Sequence, residues 1–103
     1  MRFSTIKDTG IQEMHSNGGR KQEIIWKIKE TGDKFRLLIL SESYKFPSYY
    51  RLYKWSNENN EWNIITSGNP VKDYNIDIAY SSRYTSSAFD RIISDMKKIA
   101  KEF

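Results

Sequence analysis

His15 is the one histidine of this 103-residue chain, and there is no cysteine. A thiol nucleophile activated by imidazole is excluded, and so are zinc sites built on thiolates. His15 stands just before Asn17-Gly18-Gly19, a turn sequence, and reads as a solvent-exposed side chain rather than a catalyst. Gly18-Gly19 lacks the spacing of a dinucleotide or P-loop signature. Asp73 and Asp77 form a closely spaced carboxylate pair. On a strand they would point to one side about 13 Å apart, too far to share one metal ion. Ser81, Ser82, Ser86 and Ser87 fall in a turn and at a helix start, where capping accounts for them better than catalysis. The chain therefore reads as no enzyme, with no catalytic residue, no cofactor and no metal.

The chemistry of binding is better supplied. Tyr49, Arg51, Tyr53 and Trp55 recur at every second position, so a strand would present them on one face. Tyr44 and Phe46 sit in the loop just before them, and Lys54 lies among them. Lys27 and Lys29 join the same face if consecutive strands pair in order. Rings beside guanidinium or ammonium groups stack bases and hold phosphates. Tyr, Trp and Arg also dominate the energetic centres of protein interfaces. Two placements are open at this stage. Either the rings face the helix and form the core, or they stand free as a docking platform.

The elements that position these residues are legible. Residues 22–67 hold four runs rich in β-branched and aromatic residues, separated by turn residues, which marks consecutive antiparallel strands. Segment 20–30 places Ile24, Trp26 and Ile28 on a core face and Ile25, Lys27 and Lys29 on the other. In 34–42, Phe35, Leu37 and Ile39 alternate with Arg36, Leu38 and Leu40, so its second half is apolar on both faces. Such a run predicts a central strand with something lying over Leu38 and Leu40: a loop, a second copy or a partner. Trp62, Ile64 and Thr66 alternate with Asn63 and Ile65, and Pro70 ends the meander. Tyr74, Ile76, Ile78 and Tyr80 share a parity that predicts one more strand. Segments 1–8 and 11–15 are short strand candidates, the second turning at Asn17-Gly18 into 20–30.

Ser87 followed by Asp90 predicts a helix start, with 81–85 a polar connection before it. Phe89, Ile92, Ile93, Met96, Ile99, Ala100 and Phe103 form one apolar stripe beyond it. A helix over 88–101 is about 21 Å long and covers two or three strands spaced about 4.8 Å apart. The expected fold is a single α+β domain over 1–103, an antiparallel meander sheet of four to six strands with one C-terminal amphipathic helix packed on one face. No repeat, low-complexity stretch or linker interrupts it.

Hydrophobic residues make up 38% and aromatic residues 15%, so burial is carried by large rings. The net charge of +4 is unevenly placed. Segment 20–54 is basic, whereas Glu58, Glu61, Asp73, Asp77 and Asp90 dominate 55–90. A basic sheet suits an acidic partner, either nucleic acid or an acidic protein surface. With neither a signal-peptide core near the start nor an apolar run of about 20 residues, the expectation is a cytoplasmic protein, with no membrane partner.

A cysteine-free chain rich in Asn, Tyr and Lys with no catalytic motif resembles the small accessory proteins of bacteriophages and mobile elements, anti-CRISPR inhibitors among them. The resemblance lies in the style of the whole chain and in no motif, so it assigns no site residue. It implies a non-enzymatic protein that blocks a host defence or nucleic-acid machine by occupying a protein or nucleoprotein surface, in the host cytoplasm if phage-encoded. The alternatives are a single-stranded RNA- or DNA-binding module using the same ring and cation face, and a homodimeric accessory protein whose sheets cover each other over Leu38 and Leu40.

Overall fold

The computed structural model describes residues 2–13, 19–41, 48–76 and 82–103, with side chains from 86 onward in the last stretch. The strands are β1 (Phe3–Asp8), β2 (Gln12–Glu13), β3 (Arg20–Ile28), β4 (Lys34–Ser41), β5 (Tyr49–Ser56) and β6 (Glu61–Gly68), followed by helices α1 (Pro70–Tyr74) and α2 (Ser82–Ala100). The six strands form one antiparallel sheet in the order β1-β3-β4-β5-β6, and β2 also pairs with β3. β1 takes Ile24 to Ile28 of β3 while β2 takes Arg20 and Lys21, so the two lie end to end along one edge. The predicted α+β class, with a C-terminal helix on one sheet face, is the observed one.

Period-two patterning decides which face is dry. Ile24, Trp26, Ile28, Phe35, Leu37, Ile39, Tyr50 and Leu52 are buried on one side of the sheet. Against them lie Phe89, Ile92, Met96 and Ala100, at helical spacing along α2. Trp26 and Phe35, cross-strand partners, stack with centroids 5.8 Å apart. Burying each large apolar side chain stabilises the fold by about 1.5–3 kcal/mol.

Three expectations are corrected. First, the segment after Pro70 is helical, not a strand: α1 runs through Tyr74, with Ile76 buried beyond it and 77–80 outside the described residues. Asn69 caps α1, its side-chain oxygen accepting from the backbone of Val71 and Lys72, and Pro70 fits the first turn because no N–H is needed there. Asp73 is thus a helix residue, and the strand-based distance to Asp77 does not apply. Second, α2 starts at Ser82, which places Ser87 and Asp90 inside the helix rather than at its cap. Serine and threonine disfavour helix interiors by only about 0.5 kcal/mol each, and no Gly or Pro stops the helix between 82 and 100. Third, Phe103 lies past the helix end and is exposed, so it leaves the apolar stripe.

α1 is clamped between the sheet and α2. The Tyr50 hydroxyl donates to Asp73 at 2.7 Å, and the Tyr74 hydroxyl donates to Asp95 at 2.8 Å. The two rings meet edge to face at 5.7 Å. Burial first, then the hydrogen bond to Asp73, push the Tyr50 phenol up to about 12; burial and Asp95 raise Tyr74 as well. The neutral, donating phenols belong to the folded state. Their contribution is complete below the ordinary tyrosine value of 10 and is lost as pH rises through the folded value of about 12. Chemical denaturation across this window should show falling stability, with a shallower fall in Tyr50→Phe. Identical slopes for the two proteins would refute the clamp's role.

Candidate functional site: an open cationic and aromatic sheet face

The face of the sheet opposite α2 carries the alternate residues of every strand. Read across the strands, one row runs Ser4, Lys27, Lys34, and a neighbouring pair is Trp55 and Trp62. Lys34 closes the gap, its Nζ lying 5.1 Å from the Trp55 ring centroid. The next row is Lys7, Ile25, Arg36, Tyr53 and Ile64. Glu23, Leu38, Arg51 and Ser67 form a third, and Lys21, Leu40 and Tyr49 a fourth. β-Strand register alone produces this grid, because antiparallel partners share a face.

Tyr49, Tyr53 and Trp55 therefore lie on the open face, half-buried among their neighbours, and Arg51 is exposed. Core membership on β5 goes instead to Tyr50 and Leu52. Each of the three β5 rings on this face has a cation against it. The Arg51 guanidinium carbon is 4.0 Å from the Tyr49 centroid, and that of Arg36 is 5.7 Å from Tyr53. Such pairs contribute about 0.5–1 kcal/mol each at exposed sites and hold both partners in place. Trp62 packs edge to face on Trp55 at 5.3 Å.

A bulge in β6 shapes the rim. Leu52 pairs with Thr66 but Tyr53 pairs with Ile64, leaving Ile65 unpaired. The extra residue switches parity. Thr66 consequently faces the core side, not the side of Trp62 and Ile64 as strict alternation predicts, and Ile65 packs against the core. Ile64 is left 57% exposed at the sheet edge.

Among the described residues, Lys7, Lys21, Lys27, Lys34, Arg36 and Arg51 face Glu23 as the one carboxylate of this grid. Glu23 holds Lys7 at 2.6 Å through one oxygen and Arg36 at 2.6 Å through the other. The Lys7 hydrogen bond, helped by Arg36 and opposed by partial burial, keeps the Glu23 carboxyl below its ordinary value. Lys21, Lys27, Lys34 and Arg51 have no carboxylate partner among the described residues. Leu38 and Leu40, expected to be covered, are half-exposed and floor an open groove of about 360 Å³ rimmed by Lys7, Lys21, Glu23 and Tyr49.

The other candidates fall elsewhere. Lys27 joins the grid, but β3 ends at Ile28 and Lys29 lies in the turn, its backbone N–H donating to Arg2. Lys54 is on the helix side, where its Nζ donates to the Phe103 carbonyl at 2.5 Å and approaches the Phe35 ring. Tyr44 and Phe46 lie outside the described residues. Lys34, Arg36 and Trp62 were not singled out from sequence as site residues. Their signal was the parity opposite Phe35, Leu37 and Ile39, read across strands rather than along one.

Among the described residues no group of His, Cys, Asp and Glu is placed to hold a metal ion, and no helix is long and apolar enough to cross a membrane. Fold and face together define an α+β sheet protein whose cationic and aromatic sheet face is left open by the described residues. No protein-family model, curated protein or solved structure matches the chain.

Proposed function

We propose that this is a non-enzymatic interaction protein that docks its open sheet face onto an acidic surface of a protein or nucleoprotein partner. The observation that supports the reading most is the charge of that face: among the described residues, cations in every row, a single carboxylate, and rings between them. Such a surface attracts a polyanion at long range and offers stacking and apolar contact on arrival. Tyr49, Arg51, Tyr53 and Trp55 are its centre, with Lys27, Lys34 and Trp62 beside them. A compact module of this kind suits an inhibitor, phage-type and anti-CRISPR-like in its setting, that occupies the working surface of a host nucleic-acid machine in the cytoplasm.

Charge reversal on matched positions tests the docking face. Lys34→Glu with Arg51→Glu should elute from a heparin column at markedly lower salt than wild type. Lys72→Glu with Lys98→Glu, on exposed helix positions, alters net charge equally and should shift elution far less. Equal shifts for the two pairs would mean that net charge, not this face, governs binding.

A further inference from the structure

We propose that the occupant of the open face is single-stranded nucleic acid, lying along β5 with its bases on the rings and its phosphates on the flanking cations. The inference rests on the docking reading above and narrows its partner. Along β5 the order is ring, cation, ring, ring: Tyr49, Arg51, Tyr53, Trp55. At about 3.3 Å per residue, the backbone positions of Arg51 and each tyrosine are about 6.6 Å apart, as are those of Tyr53 and Trp55, and the Arg51 guanidinium leans onto the Tyr49 ring. Rings with a cation among them at this pitch suit a strand that carries both flat bases and charged phosphates. A duplex conceals the π-faces of its bases inside the stack and would leave the rings idle. An acidic peptide would engage the cations but has no planar groups in number to set against the rings.

A second observation points to phosphate. Lys27 and Lys34 are direct cross-strand partners, and neither has a carboxylate against it among the described residues. Like charges directly opposite destabilise a sheet. An anion lodged between them removes that repulsion, and a phosphate beside Trp55, against which Lys34 already lies, is placed to do so.

Anisotropy titrations of the full chain would use labelled oligo-uridylate, oligo-thymidylate, a duplex of equal length and an oligo-glutamate of equal charge. The single strands should bind more tightly than the duplex or the glutamate, and the two arms report whether RNA or DNA is preferred. Affinity should fall with salt at a log–log slope of about −0.7 per phosphate contacted, and Arg51→Gln should reduce the slope by about one such increment. Trp55→Ala should weaken single-strand binding about 5- to 100-fold. Arg51 is exposed, so its variant keeps the test valid if loss of Trp55 disturbs its packing on Trp62. Oligo-glutamate binding as tight as the single strands, or duplex binding tighter than either, would overturn this inference while leaving an acidic partner in place. Absence of affinity for all of these polyanions at low salt would overturn both readings.

Discussion

Phe89→Ala is expected to lower the free energy of unfolding by about 3–5 kcal/mol, the cost of a large-to-small change in a rigid core. Phe89 is fully buried in the layer between α2 and the sheet, in one cluster with Ile92, Leu37 and Leu52. The helix covers only one sheet face, so this layer is the main apolar core of the domain, and nothing on the open face can compensate. A domain of this size has about 5–15 kcal/mol in total. The variant should therefore show a far lower denaturant midpoint, and it should melt roughly 10–30 °C below wild type. A loss under about 1 kcal/mol would mean that α2 is not seated on the sheet as described.

Gly68→Ala should be more damaging than alanine at Gly10 or Gly32, at about 2–4 kcal/mol, for want of space rather than for backbone conformation. A Cβ there would fall 2.6 Å from Asp73 Oδ2 and within the contact radius of the Tyr50 hydroxyl, its cross-strand partner. The Tyr50 ring is wedged against Tyr74, so it cannot swing aside without breaking its bond to Asp73. Asp73 also accepts from the Asn69 backbone, and the start of α1 would be lost with it. Gly10 and Gly32 offer the contrast: both have positive φ and open space around a would-be Cβ. Alanine at those positions should cost about 1–2 kcal/mol through backbone strain alone. In a Tyr50→Ala background the Gly68→Ala penalty should fall below about 1 kcal/mol, because the obstructing ring is gone. Equal penalties in both backgrounds, followed by urea denaturation, would show that steric conflict is not the cause.

The chain determined by itself whatever depends on local period and local chemistry. Alternation in 20–28, 34–41 and 49–56 is strong enough to set strands and to pick Ile24, Trp26, Phe35 and Leu37 as one face, because a single-residue slip would expose all of them. Phe89, Ile92 and Met96 at three- and four-residue steps likewise name the buried stripe of α2. Asn69-Pro70 also carried a legible start signal for α1, obscured by the competing alternation of Tyr74 and Ile76. The beginning of α2 was not legible, since serine and threonine serve equally as caps or as tolerable helix residues.

Only the tertiary structure decided which side of β5 is core. Its two faces, Tyr49-Arg51-Tyr53-Trp55 and Tyr50-Leu52-Lys54, are both apolar enough to be buried, so hydrophobic pattern along one strand is silent. Register resolves it: Leu52 pairs with Leu37, whose strand is already committed to the helix side, and that turns the rings and Arg51 outward. The bulge at Ile65 and the meeting of Lys27 with Lys34 likewise exist only once strands are paired. Residues far apart in the chain acquire shared surroundings through backbone hydrogen bonding, and the cationic face is a product of that pairing rather than of any contiguous motif.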